Sequence, residues 1–148
     1  MTKAMDLAVR LLTRREHGAR ELARKMAQRG VSEAEIEATL RECQRLHLQD
    51  DERFAQMLCR TRFSQGYGPL RIRECLSKVH IDRELIASVL SSYTEDEWFH
   101  SAQQVIRKKY PESLDYSYHV RQKQKQFLVY RGFSPEMISR LARTMVST

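Results

Sequence analysis

Apolar residues recur along the chain with the three- and four-residue spacing that is typical of amphipathic helices. One arrangement of apolar positions occurs three times, and the three segments align without a gap. They are ELARKMAQRGVSEAEIEATL at 21–40, RIRECLSKVHIDRELIASVL at 71–90 and KQKQFLVYRGFSPEMISRLA at 123–142. Each segment predicts two helices joined by a short turn, so the chain is predicted to contain three copies of one unit.

The positions that match among the three copies are those that a packed helix pair would bury. They are Met26, Leu76 and Leu128; Val31, Ile81 and Phe133; Ile36, Ile86 and Ile138; and Leu40, Leu90 and Ala142. These residues are the predicted core.

The turns recur as well as the core. Gly30 and Gly132 follow the first helix of their copies, where a left-handed residue commonly ends a helix. His80 occupies the matching place in the second copy, and we predict a positive φ there because the turn still requires it. The alternative is a histidine that binds a ligand or titrates near the loop.

Helix starts are marked by capping residues. Ser32 with Glu35 predicts a capping box, as does the segment 94–97 with the sequence TEDE. Ser134 precedes a proline suited to the first helical position, and Asp82 is the expected cap of the second copy.

A further amphipathic helix precedes each aligned pair, which brings the prediction to nine helices and no strand. Only 5 glycines and 3 prolines occur among 148 residues, which also disfavours an all-β fold. The predicted fold is all-α, with three tandem degenerate three-helix repeats at 1–49, 50–93 and 94–148. We expect them to stack into one continuous, elongated, curved, solenoid-like body whose handedness the sequence leaves open.

Charge points to a polyanionic partner. The 26 Lys and Arg residues exceed the 19 Asp and Glu residues, which gives a net charge of +7, and the excess is spread over all three copies. The pairs Arg10 with Arg14 and Arg121 with Lys125 each share a helix face. Aligned faces would form a basic stripe suited to phosphates, while each cluster taken alone is better explained as a solvated face balanced by nearby Glu. Four tyrosines near loops, which either stack on unpaired bases or pack helix junctions, are Tyr67, Tyr110, Tyr116 and Tyr118.

Motifs for catalysis are missing from the sequence. It has no Gly-rich phosphate loop, no HExxH and no GxSxG, and its five histidines are scattered. Cys43, Cys59 and Cys75 form no CxxC pair, so we expect reduced thiols in the cytoplasm and neither a metal site nor a cofactor. The chain starts without a signal-peptide pattern and has no stretch long enough to cross a bilayer, so a soluble protein is expected.

Three stretches resemble the RecX family of regulators of the RecA recombinase. They are LLTRREHGARELARKM, LHLQDDERFAQMLCRTRFSQGYGPLRIRECL and LVYRGFSPEMI, and the similarity covers nearly the whole chain. The middle stretch is the most specific, with its acidic start, its Arg-x-Arg and its Gly-Tyr-Gly-Pro loop. The chain departs from the family at Val79-His80-Ile81, where members commonly have Lys-Gly-Ile.

The resemblance implies a monomeric negative modulator that binds the RecA–DNA filament along its groove. Such a protein inhibits ATP hydrolysis, strand exchange and co-protease activity, and so acts in DNA repair, recombination and the SOS response. Single- or double-stranded DNA is implied as a weak partner, and no membrane is. From the basic pattern we predict contacts to RecA or DNA by Arg24, Lys25, Arg71, Arg73, Lys123 and Lys125. The alternatives are a DNA-binding helical regulator independent of RecA and a passive helical scaffold.

Overall fold

The computed structural model describes residues 2–111 and 118–147, and all regular secondary structure within them is helical. These residues form nine α-helices, which confirms the predicted all-α class. The helices are α1 Lys3–Arg14, α2 Ala19–Gln28, α3 Glu33–Arg45, α4 Asp51–Ser64, α5 Pro69–Lys78, α6 Arg83–Leu90, α7 Glu95–Lys109, α8 Tyr118–Arg131 and α9 Pro135–Ser147.

Side-chain caps start α3, α7 and α9 where the sequence predicts them, whereas the Asp82 cap of the second copy stays a prediction. The box before α7 is complete, because Thr94 Oγ1 accepts from the Glu97 N–H (3.1 Å) while the Glu97 carboxylate accepts from the Thr94 N–H (3.0 Å). At α3 the Ser32 hydroxyl accepts from the Glu35 N–H (3.3 Å) and donates to the Glu35 carboxylate (3.1 Å). The Ser134 hydroxyl caps α9 by accepting from the Met137 N–H (3.1 Å). Each such cap contributes about 1 kcal/mol to helix stability.

The predicted turn is identical in all three copies. The residue after the turn donates its N–H to the carbonyl five positions earlier, at 3.1 Å each time: Val31 to Met26, Ile81 to Leu76 and Phe133 to Leu128. The residue before it is left-handed, with φ of 82° at Gly30, 62° at His80 and 96° at Gly132. This is a Schellman motif, and the predicted positive φ at His80 is confirmed.

A further left-handed residue was not predicted. His47 (φ 59°) ends α3, and the Leu48 N–H donates to the Cys43 carbonyl (2.8 Å). No glycine marks this turn in the sequence, so the pattern that predicts the other turns does not predict this one.

The chain forms two compact units, and unit 1 comprises Met1–Leu58 and Leu76–Val89. Its buried cluster is Met5, Leu7, Ala8, Leu22, Met26 and Cys43, and the partly buried Val9, Leu11, Leu12, Val31, Ile36 and Leu40 pack against it. Leu76, Ile81 and Ile86 of the second copy are also buried. The predicted core positions of the first two copies are therefore inside, although three of them only partly.

Unit 2 comprises Cys59–Cys75 and Leu90–Thr148. Phe63 stacks on Tyr93 with ring centroids 4.0 Å apart, and Trp98 meets both rings at 5.1 Å. The predicted core positions Leu128, Phe133 and Ile138 are buried, and Leu90 is buried as well, whereas Ala142 is half-buried. Burying a large apolar side chain such as Phe133 contributes about 1.5–3 kcal/mol.

Candidate functional site

The Gly-Tyr-Gly-Pro loop of unit 2 fits against the turn between α8 and α9. The Gly68 N–H donates to the Arg131 carbonyl (2.7 Å), and the Leu70 N–H donates to the Gly132 carbonyl (3.0 Å). A Cβ atom on Gly68 would lie 2.5 Å from the Gly132 oxygen, and one on Gly132 would lie 2.3 Å from the Arg71 Cβ. Both glycines are therefore required by close backbone approach, and Gly132 is required by its φ as well.

Arginine and aromatic side chains alternate beside these turns and form what we call the ladder: Tyr130, Arg71, Tyr67, Arg131 and Phe127. The Arg71 guanidinium lies 4.6 Å from the Tyr130 ring centroid and 5.2 Å from that of Tyr67, and Arg131 lies 5.1 Å from both Tyr67 and Phe127. Arg71 also donates to the Tyr130 carbonyl (3.0 Å). Cation–π pairs of this kind stabilise by about 0.5–1 kcal/mol each near a surface.

Two of the six predicted contact residues are thus engaged within the protein. Arg71 is half-buried in the ladder. Lys25 is also half-buried, and its Nζ lies 3.0 Å from His17 Nε2. Because His17 Nδ1 faces the Arg15 carbonyl (3.0 Å) and must donate to it, Nε2 of the neutral ring accepts from Lys25. Burial lowers the pKa of His17, which favours this neutral form.

The other four predicted residues are exposed. Arg24 lies on α2 of unit 1, Arg73 on α5 of unit 2, and Lys123 and Lys125 on α8. The structure does not gather these four into one cluster within either unit. Lys125 shares the rim of an apolar pocket with Arg121, as expected from their four-residue spacing.

Arg24 borders a basic cleft of about 280 Å³ in unit 1, together with Arg20, Glu21, Lys78, Val79 and His80. The one carboxylate of this cleft is already neutralised, because Glu21 accepts two hydrogen bonds from Arg15 (2.6 and 3.1 Å). Burial alone would raise the pKa of Glu21, but the hydrogen bonds and charge of Arg15 outweigh burial and lower it.

Unit 2 contains a larger open groove of about 750 Å³, which we call the basic groove. It is lined by Phe63, Ser64, Gln65, Gly66, Ser101, Gln104, Val105, Arg107, Lys108, Lys109, Phe127 and Arg131. Four of these residues are cationic and none is acidic. A groove with this lining attracts an anion strongly, since no carboxylate among the lining residues offsets the cations.

The four tyrosines near loops lie in different surroundings. Tyr67 lies between Arg71 and Arg131 in the ladder, and Tyr110 packs its ring edge-on against Phe127 (6.3 Å). Tyr118 is 72% exposed. Tyr116 lies outside the described residues.

Other chemistry finds little support in the described part of the chain. Its His, Cys, Asp and Glu side chains include no group of three that could hold a metal ion. Burial raises the pKa of the Cys59 thiol to about 11 and also raises that of Cys43, so neither is an activated nucleophile near neutral pH. Among the helices described, none is long and apolar enough to span a membrane.

The basic groove was not predicted as a site. Arg107, Lys108 and Lys109 form an evident cluster in the sequence, but three cations at a helix end also complement the helix dipole. Arg131, which lies 22 positions after Lys109, also lines the groove. Only the fold brings it next to the three cations of α7, so the sequence alone does not indicate this site.

Family models match the chain in three consecutive parts. The first, second and third three-helix domains of RecX match residues 4–43, 50–90 and 95–141, respectively. These matches confirm the predicted three-helix repeats, while the boundaries at 49 and 93 stay predictions.

Relatives of full length are similar to this chain. The regulatory protein RecX of Legionella pneumophila (strain Corby) is 46% identical over 148 residues, which cover 100% of this chain and 98% of that protein. The protein of the same name from Pseudomonas entomophila (strain L48) is 40% identical, covering 90% and 86%. The crystal structure of RecX from Lactobacillus salivarius shares the fold, with a TM-score of 0.88 at 24% identity over 99% of this chain and 96% of that one.

Proposed function

Since the chain belongs to the RecX family of regulatory proteins, we propose that it is a negative modulator of the RecA recombinase. It binds the RecA–DNA filament along its groove and inhibits ATP hydrolysis, strand exchange and co-protease activity. It acts as a cytoplasmic monomer in recombination, repair and the SOS response. The observation that carries this proposal is the similarity over the full length of a regulatory protein RecX, which includes all three repeats.

The repeated architecture suits a polymeric partner. Each of the three helical repeats presents exposed basic residues, so one molecule makes several weak contacts to successive positions of a filament. Linked contacts raise the total affinity well above that of any one contact. No single strong binding pocket is then required.

Arg24, Arg73, Lys123 and Lys125 are the predicted contact residues whose side chains are exposed, and we propose that they contact RecA or DNA directly. Arg71 and Lys25 act in a different way within this proposal. They hold the loop before α5 and the loop before α2, and their effect on binding passes through the surface that these loops form.

The test is RecA ATPase on single-stranded DNA with this protein added at substoichiometric ratios. The wild type is expected to inhibit, and unchanged ATPase at equimolar protein would refute the proposed function. Arg73→Glu is expected to raise the inhibitory concentration about tenfold, which corresponds to about 1.4 kcal/mol.

Arg60→Glu is the matched control, since Arg60 is also exposed on a helix of unit 2 and the charge change is equal. It is expected to shift the inhibitory concentration less than about twofold, in line with an ordinary surface charge. Equal effects of the two variants would remove Arg73 from the contact surface. Lys123→Glu with Lys125→Glu tests α8 in the same assay.

One observation favours a second function, which is DNA binding without RecA. The basic groove has a cationic lining without a carboxylate, as a nucleic-acid site does. Salt-sensitive binding to bare DNA combined with unaffected RecA ATPase would favour this function over the first.

A further inference from the structure

We propose that the basic groove of unit 2 binds the sugar–phosphate backbone of single-stranded DNA. This inference rests on the proposed function, because it assigns a DNA-contacting site that the family relationship leaves unplaced. None of the six contact residues predicted from the sequence lines this groove.

The cations of the groove exceed what the fold itself requires. Arg107, Lys108 and Lys109 occupy the last turn of α7, where one or two positive charges are enough to offset the helix dipole. Arg131 adds a fourth charge from α8. The ion pairs among the described residues include none of these four side chains, and of the four only Arg131 already donates to a backbone carbonyl, that of Gln65.

Arg131 is held in place before any ligand arrives. Its guanidinium lies between the Tyr67 and Phe127 rings, and Nη1 donates to the Gln65 carbonyl (2.8 Å). Lys109 lies over the same Phe127 ring at 5.7 Å. Ordering a long side chain during binding costs free energy, so a guanidinium fixed in advance binds a phosphate more tightly.

The hydrogen-bonding character of the lining favours a nucleic acid over an acidic protein segment. A phosphodiester backbone offers acceptors only, and it suits the guanidinium and ammonium donors of the groove. An acidic peptide would also bring backbone N–H donors, and the four cationic side chains of the groove offer no acceptor for them. The apolar surface of Val105 and Phe127 suits the sugars and base faces between the phosphates.

The size and the lining of the groove favour a single strand. Its volume of about 750 Å³ lies within the range of pockets that enclose small ligands. It therefore holds a few nucleotides, and a single strand is favoured because base faces are free to meet Val105 and Phe127 only when they are unpaired.

The experiment compares Arg107→Gln with Lys108→Gln, combined in one protein, against the control pair Arg41→Gln with Arg45→Gln on α3. All four residues are exposed, and each pair removes two positive charges from one helix. Fluorescence anisotropy with a labelled oligo(dT) strand is measured over a series of NaCl concentrations. The groove pair is expected to weaken binding about tenfold and to reduce the magnitude of the salt slope by about 1.4, or about 0.7 for each lost contact to a single strand. The control pair is expected to leave both values near those of the wild type.

Arg131→Lys is a second variant that keeps the charge and removes the planar guanidinium. It is expected to weaken oligo(dT) binding several-fold with little change in the salt slope. Far-UV circular dichroism and Trp98 fluorescence establish that each variant is folded before binding is measured.

Three results would overturn the proposal. The first is an equal loss of oligo(dT) affinity in the groove pair and the control pair. The second is a matched duplex that binds as tightly as the single strand and loses as much affinity in the groove pair. The third is a groove pair that loses binding to poly-glutamate and keeps its binding to oligo(dT). The RecA ATPase assay distinguishes failure of the groove assignment from failure of the proposed function. If the wild type inhibits RecA and the groove pair binds oligo(dT) as tightly as the wild type does, the groove assignment is refuted and the proposed function is not.

Discussion

Replacing the glycine of the repeated turn by alanine should have different effects in the first and third copies. Gly30 and Gly132 have the same hydrogen-bonded turn and similar φ values of 82° and 96°. Alanine in this conformation costs about 1–2 kcal/mol wherever it occurs. The surroundings differ, because a Cβ on Gly30 meets no atom within 4 Å, whereas one on Gly132 lies 2.3 Å from the Arg71 Cβ and 2.5 Å from its nitrogen.

The extra cost at Gly132 follows from the contacts that must break. Backbone atoms cannot yield as a flexible side chain can, so the turn has to move away from the loop before α5. That movement breaks the bonds from Gly68 to Arg131 and from Leu70 to Gly132. Each contributes about 0.5–1.5 kcal/mol net. Gly132→Ala should therefore lower the free energy of unfolding by about 2–5 kcal/mol, against about 1–2 kcal/mol for Gly30→Ala.

The measurement is urea unfolding followed by far-UV circular dichroism for both variants, with Trp98 fluorescence as a local probe of unit 2. For a chain of this length, each kcal/mol moves the melting temperature by about 2–4 °C. His80→Gly completes the set, because it relieves left-handed strain at the same turn and should stabilise by about 0.5–1 kcal/mol after the greater freedom of glycine in the unfolded chain is subtracted. If Gly30→Ala and Gly132→Ala cost the same within about 0.5 kcal/mol, the close approach to Arg71 is not what requires glycine in the third copy.

Two further predictions concern titration and reactivity. Burial lowers the pKa of His17, so the unfolded chain takes up a proton at higher pH than the folded chain does. The contribution of His17 to stability should therefore be full above the unfolded pKa of about 6.5 and be lost as the pH falls from there through the folded pKa. Urea midpoints from pH 8 to 5 should show this loss in the wild type and in the exposed-site control His119→Gln but less of it in His17→Asn, and parallel curves for all three would contradict the assignment. The half-buried Cys75 should react with a thiol reagent at pH 8 well before the buried Cys59, whose pKa is raised to about 11. Cys75→Ser should remove the fast phase of this reaction. A fast phase that survives the substitution would show that burial does not control the reactivity of these thiols.

Features that depend on a few consecutive residues were predictable from the sequence. The Schellman turns and the capping residues involve partners within three to five positions, so their chemistry is written into short segments. The left-handed His80 was predictable because the other two copies have glycine there. His47 has no such counterpart, and nothing in its neighbours requires a positive φ.

Side-chain roles that depend on distant partners were not predictable. Arg71 donates to the carbonyl of Tyr130, which lies 59 positions away, so the sequence shows its charge without its partner. A basic residue in a charged segment looks the same in the sequence whether its side chain is in solvent or packed between aromatic rings. The basic groove escaped prediction for the same reason, since Arg131 reaches it from another helix.

The histidine that replaces glycine in the turn of the second copy is explained by the surroundings of that turn. His80 and Gly132 occupy equivalent places, and the helix starts next to them are equivalent too, with Arg20 and Glu21 matching Leu70 and Arg71. In unit 2 the turn and the helix start are in backbone contact, so only glycine fits. In unit 1 His80 lines a cleft of about 280 Å³ with Arg20 and Glu21, which leaves room for a side chain. A histidine there costs only its left-handed φ, and it adds a polar ring to a cleft that is already basic. The repeat thus retains one turn throughout and allows its sequence to change only where the adjoining helix start stands away from it.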